Sequence, residues 1–194
     1  MSAQESHPET PEQALQTLLA GNQRYQDGTG TAENPPEAHA DLKEGQSPFA
    51  GIVRCADSRV APEIVFDQPL GRLFVCGVAG NLATTEVIAS LEYAVGVLGT
   101  PLLVVMGHTR CGAVAAALDV KASGTVLPGS LPELVEQVAL PEAGGDAVEH
   151  NARAAAHALV ARSALLAERV AEGRLAVHAG VFELETGAFR LLDA

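Results

Sequence analysis

Leu102-Leu103-Val104-Val105-Met106-Gly107-His108-Thr109-Arg110-Cys111-Gly112 is an apolar run that opens into a polar turn and then into the helical pattern of residues 112–120. Two further apolar runs, Phe49 to Val53 and Leu73 to Val78, alternate with helical patterns in the same way. Short runs without polar alternation, separated by helices, are the mark of strands buried on both faces and joined by crossovers. The expected fold class is therefore α/β, with a mainly parallel central sheet flanked by helices.

Working outward, Thr84 starts a helix through Leu98 that places Val87, Ile88, Leu91, Val95 and Leu98 on one face. Residues 122–145 carry Gly, Pro and scattered acids, and read as a loop holding one helical turn. A long helix is expected from Asp146 to Ala171, its stripe running through Val148, Ala152, Ala155, Leu159, Leu166 and Val170. Leu175 to Leu184 and Ala188 to Leu192 then form a C-terminal hairpin around Thr186-Gly187. At the other end, Thr10-Pro11 caps and starts a helix with a stripe of Ala14, Leu15, Leu18 and Leu19. It should end before Gly28, followed by a connector to Pro36 and a short helix to Glu44. The expected division is an N-terminal helical arm, 1–45, packed away from the main body, and an α/β domain, 46–194.

The chain has 194 residues, 47% of them hydrophobic and 19% charged, which suits one well-cored domain. A formal charge of -12 with only 12 Lys and Arg argues against nucleic acid, since phosphate recognition needs a clustered basic surface. No apolar stretch approaches the roughly 18 residues of a membrane span. Met1 to Thr10 is polar and acidic, without the apolar core of a signal peptide, and three cysteines cannot all pair. A reducing cytoplasm is the expected location.

Cys55-Ala56-Asp57-Ser58-Arg59 follows the first strand, and His108-Thr109-Arg110-Cys111-Gly112 follows the third. Both motifs thus fall at carboxyl ends of parallel strands, where open α/β sheets hold their ligands. Together they offer two thiolates, one imidazole and one carboxylate, a set suited to tetrahedral zinc with an exchangeable fourth position. Cys111 lies at the mouth of the helix beginning at Gly112, where the helix dipole favours a thiolate. By spacing alone, His108 and Cys111 fit a closed structural zinc site as well as a catalytic one. Asp57 and Arg59 alone would read as a solvated turn pair, and gain meaning only beside a metal. Cys76 reads as a small buried strand residue, the alternative being that it replaces Cys55 as a ligand. His7, His39, His150 and His157 read as solvent-facing, and His178 as a core or interface histidine.

These residues closely resemble a β-class carbonic anhydrase. The resemblance is dense from Gln46 to Leu118, through Cys55 to Val60, Leu73 to Val75, Ala79-Gly80-Asn81, Glu92 to Val95 and Gly107 to Gly112, and looser through Gly180 to Gly187. It implies Cys55, His108 and Cys111 as ligands of one Zn2+ per chain, with Asp57 and Arg59 as catalytic residues controlling the fourth position. Asp57 could itself close the coordination. The implied reaction is reversible hydration of carbon dioxide to bicarbonate through a zinc-bound hydroxide, with an alkaline optimum because two thiolates already neutralise the dication. Gln46, Phe74, Tyr93 and Gly112 match the substrate pocket of the plant-type branch, whose members are homodimers, some of them dimers of dimers, with pockets built across the interface. The N-terminal helix would embrace the partner. Competing readings are hydrolysis of carbon disulfide or carbonyl sulfide on the same site, a noncatalytic zinc protein, and a thiol redox sensor.

Two departures stand out. The positions that hold a second, noncatalytic bicarbonate in one branch of the family are Ile52, Gly77 and Phe182 here, without an anion-holding group among them, so bicarbonate inhibition of that kind is not expected. Arg54 stands where the family usually has a small or apolar residue, and is expected to meet a partner subunit or a nearby acid.

Overall fold

The computed structural model describes residues 7–193, apart from the side chain of Asp41. Residues 1–6 and Ala194, the ends of the expected arm and catalytic domain, lie outside the described residues. The elements are α1 (Pro11–Gln26), α2 (Ala38–Leu42), β1 (Ala50–Arg54), α3 (Pro62–Val65), β2 (Leu73–Gly77), α4 (Thr85–Gly96), β3 (Leu102–His108), α5 (Gly112–Ser123), α6 (Leu131–Val135), α7 (Ala147–Arg162), α8 (Ala164–Ala171), β4 (Ala176–Phe182) and β5 (Phe189–Leu191).

The strands form one sheet in the order β2-β1-β3-β4-β5. Pairs β1·β2, β1·β3 and β3·β4 are parallel, and only β5 runs antiparallel, against β4. This is the mainly parallel α/β sheet with a terminal hairpin that the apolar runs imply. Every residue of β3 is buried. Its side chains alternate between two cores: Leu102, Val104 and Met106 join Ile52, Phe49 and Val114 on one face, while Leu103 and Val105 join Val53, Leu91 and Leu159 on the other. Fully burying a Leu or Val side chain stabilises by about 1.5–3 kcal/mol, so β3 anchors both layers.

Three features differ from the sequence reading. α1 does not pack away from the main body: Ala14 and Leu18 are fully buried in the same core as β1 and β3. The approach is close enough that a Cβ on Gly21 would sit 1.9 Å from the Phe66 carbonyl oxygen, so only glycine fits there. Asn22 fastens the helix, donating to the carbonyls of Val65 and Gly187 and accepting from the Phe189 amide. The long helix expected to Ala171 is two helices, α7 and α8. At Ser163 the backbone is extended, and the hydroxyl donates to Glu92 Oε1 while accepting from the Leu166 amide. A tertiary partner on α4 thus makes Ser163 an N-cap where periodicity alone would continue the helix. Finally, α3 occupies a stretch with no element assigned, started by Pro62 in the first turn.

Candidate metal centre

β1 and β3 are adjacent and in parallel register, Arg54 opposite Met106, so their carboxyl ends bring both motifs together. Cys55 Sγ, a His108 ring nitrogen and Cys111 Sγ lie within 4.8 Å of one another, all three residues buried. Among the described residues this is the one such cluster of three or more His, Cys, Asp or Glu side chains. Cys76 is excluded from it by the sheet, facing Val53, Val87 and Leu91 in the other core.

The donor set fits a metal. His108 is fully buried, and its Nδ1 bonds the Thr109 carbonyl at 2.9 Å, which fixes Nδ1 as the protonated nitrogen. Its Nε2 is buried and has no hydrogen-bond partner. A lone pair so oriented, in the company of two thiols, is what a metal-ligating imidazole requires. The sulfurs are 4.0 Å apart, with Cys111 donating to Cys55. That bond, reinforced by His108 and the Gly80 amide, carries the Cys55 thiol well below the ordinary range, whereas the same contact and burial raise Cys111. The lowering of Cys111 expected from its place as N-cap of α5 is therefore outweighed. One thiolate forms readily and the second does not, so holding both charges close together calls for a cation. Burial opposes a charged His108 ring, but Cys55, the Thr109 carbonyl and Asp57 together outweigh it and the pKa is raised.

Asp57 is gripped by Arg59 as a fork: Oδ1 accepts from the Arg59 amide and Nε, both at 2.9 Å, and Oδ2 accepts from Nη2 at 2.7 Å. The grip holds the Asp57 carboxyl far below the usual carboxylate range. Asp57 Oδ2 still lies 3.9 Å from His108 Nε2, at the border of the cluster and outside the group of three.

Several supporting contacts carry no motif signal. Arg54 meets backbone, not an acid: Nη1 donates to the Cys55 carbonyl at 2.7 Å and the Asp57 carbonyl at 3.5 Å. Gly77 makes room for it, since a Cβ there would lie 3.3 Å from Arg54 Cζ. Between His108 and Cys111, Arg110 adopts φ 57°, a left-handed conformation costly for a residue with a side chain. Glu185 in the hairpin turn secures it, pairing with Arg110 Nε at 2.8 Å and accepting from Thr109 Oγ1 at 3.0 Å.

The expected pocket residues are placed differently. Phe74 and Tyr93 form a pair, ring centroids 6.4 Å apart, on edge strand β2 and α4. Phe74 is level with Gly51, four positions before Cys55, or about 13 Å along a strand. Gln46 is exposed in the loop before β1, and Gly112 is exposed at the start of α5. Within one chain, then, Gln46, Phe74 and Tyr93 are not brought to the Cys55-His108-Cys111 cluster. His7, His39, His150 and His157 are exposed as read, and His178 is half-buried in β4.

The sequence model of the carbonic anhydrase family matches residues 50–189. Carbonic anhydrase 2 of Mycobacterium tuberculosis is 40% identical over 195 residues, covering 94% of this chain and 93% of that one. The carbonic anhydrase of Pseudomonas aeruginosa is 33% identical over 200 residues, with 92% and 88% covered. Among solved structures, one of two tetrameric β-carbonic anhydrases from Sordaria macrospora superposes with a TM-score of 0.70 at 23% identity, covering 93% of this chain and 94% of that one. A Coccomyxa β-carbonic anhydrase in complex with acetazolamide superposes with a TM-score of 0.60 at 25% identity, covering 96% and 87%. The sheet, the paired motifs and these relatives agree, and the chain belongs to the β-carbonic anhydrase family of enzymes.

Proposed function

We propose that this enzyme catalyses the zinc-dependent, reversible hydration of carbon dioxide to bicarbonate and a proton, with Cys55, His108 and Cys111 holding one zinc ion per chain. The observation that carries the reading is the buried His108 Nε2, without a hydrogen-bond partner, converging with the buried thiols of Cys55 and Cys111. The chemistry such an ion supplies when bound is acidification of water, giving a nucleophile near neutral pH.

The chain's own residues do the rest. Thr109 holds the tautomer of His108 through its carbonyl. Arg59 takes three of the acceptor positions of Asp57 and so keeps that carboxylate from collapsing into the cluster. Oδ2 retains free acceptor capacity 3.9 Å from the ligand nitrogen, where it can take the hydrogen bond of an attacking water and orient its lone pair. Because Asp57 stays ionised to low pH, it remains an acceptor throughout the working range. This arrangement favours an open catalytic site over a closed noncatalytic one. Carbon disulfide or carbonyl sulfide would meet the same groups.

Gln46, Phe74 and Tyr93 supply an amide donor and an apolar wall suited to a small uncharged molecule. Since one chain keeps them away from its own cluster, the complete pocket is assigned to a homodimer in which each copy walls the other's site, with dimers of dimers as a further assembly. The outward face of α1 is then available to embrace the partner, as the arm of residues 1–45. Three free cysteines support a reducing, cytoplasmic location, and no helix among the described residues is long and apolar enough to cross a membrane.

The test is metal removal and return. Chelator-stripped protein should lose carbon dioxide hydration in stopped flow and regain it with equimolar zinc. Restored zinc without hydration, but with carbon disulfide turnover, would move the assignment to that substrate.

A further inference from the structure

The Cys55 thiol is held from outside the cluster by a path that ends on α7. Gly80 donates its amide to Cys55 Sγ at 3.4 Å, a bond buried from solvent. Gly80 adopts φ 79°, a left-handed conformation that favours glycine, and a Cβ there would sit tightly on Ala113 at 3.3 Å. A glycine in an irregular segment has many conformations open to it, and something must select this one. The carbonyl of Gly80 accepts from Asn151 Nδ2 at 2.7 Å. Asn151 is 2% exposed, and its Oδ1 accepts in turn from the Ala139 amide at 3.0 Å. Both ends of the side chain are thus committed, one to the loop carrying Gly80 and one to the loop before α7. On the stripe of α7 its neighbours facing the core are Ala152, Ala155 and Leu159, so a polar group here is costly unless these bonds are made.

We propose that Asn151 is a positioning residue for the metal thiolate: it fixes Gly80 so that the Gly80 amide is aimed at Cys55 Sγ, and so tunes the electron density that Cys55 offers a metal. An amide bonded to a ligating sulfur withdraws charge from it, and partners outside the ligand shell typically change metal affinity by about 10–100-fold when removed. The inference rests on the metal reading above.

The test uses full-length protein with cobalt(II) as the probe, in wild type, Asn151→Leu, Asn151→Asp and Asn22→Leu. Asn151→Leu removes both bonds, while Asn151→Asp keeps the acceptor for Ala139 and removes the donor to Gly80, and serves alone if the Leu variant does not fold. Asn22 is an equally buried asparagine that ties α1 to α3 and the hairpin, far from the thiol in the bonding path. Wild type should show a thiolate-to-cobalt charge-transfer band; without it the metal reading itself fails. Given that band, both Asn151 variants should move it to longer wavelength and weaken zinc binding about tenfold or more in chelator competition. Asn22→Leu should lower the thermal midpoint and leave the band in place. An unmoved band in folded Asn151 variants, or an equal shift in Asn22→Leu, would overturn the proposal.

Discussion

The two ends of the strands in this sheet are built on opposite plans. At the carboxyl ends of β1 and β3, the buried Cys55, His108 and Cys111 side chains converge within 4.8 Å, with Cys55 bonded to Gly80 and His108 to Thr109 within a single chain. Nearer the amino ends, at the edge formed by β2 and α4, Tyr93 is 48% exposed beside half-buried Phe74, and Gln46 is open to solvent. The first region can be prepared by one folding chain, because every donor and acceptor it uses, out to Asn151 and Glu185, comes from that same chain. The second is only a wall awaiting something to face. On the proposed function, metal holding is intrinsic to the protomer and the substrate pocket belongs to the assembly.

The largest effect should come from breaking the first region. His108→Ala or Cys111→Ala should reduce zinc from equimolar to near zero and abolish hydration, whereas Cys76→Ala, on the other face of the sheet, should keep both, as read by metal analysis beside stopped flow. Mixing then tests the division between the two ends. His108→Ala and a Gln46→Ala/Tyr93→Ala double variant should each be nearly inactive. Dissociated and reassociated at equal amounts, they should recover about a quarter of wild-type activity, because half the dimers pair unlike chains and each holds one complete site. No recovery on confirmed subunit exchange would mean that both regions serve the same chain's site.

A smaller effect is expected of the ion pair at the border of the cluster. Arg59→Ala should keep zinc but lower the hydration rate by about 10²–10⁴-fold, since it frees Asp57 to enter the metal's open position. Smaller still is a stability effect remote from both regions. Asp67 accepts from the amides of Thr31 and Ala32 and pairs with Arg24, and although burial raises its pKa these partners bring it below the ordinary value. A carboxylate depressed in the folded state stabilises above its unfolded pKa of about 3.9 and loses that contribution as the pH falls through its folded value. Asp67→Asn should therefore cost about 2 kcal/mol in denaturant unfolding at pH 7, with the difference from wild type narrowing below about pH 4.

Most of the sheet was legible because β1 and β3 are buried almost throughout and, like the edge strand β2, read as uninterrupted apolar runs. The convergence of Cys55, His108 and Cys111 was legible for the same reason: each motif directly follows such a run, so its place at the strand ends needed no tertiary information. The break at Ser163 was not, because it depends on Glu92, 71 positions away, and helical periodicity alone carries the stripe from Leu159 past one small serine to Leu166. The docking of α1 was hidden in the same way, since its decisive contact is a bare glycine against the Phe66 carbonyl. Asn151 offered one faint sign, a polar residue among the small apolar positions of a helical stripe, but nothing local says which loops it holds. Arg54 looked out of place until Gly77, its register partner on β2, showed where the guanidinium fits.

The most direct test of the account is stopped-flow hydration of carbon dioxide per bound zinc, from pH 6.5 to 9, for wild type and Asp57→Asn. The account predicts a wild-type rate that rises toward alkaline pH and a variant that keeps equimolar zinc with its rate largely gone. Full zinc in both proteins with equal rates, or no hydration by wild type at any pH, would contradict it.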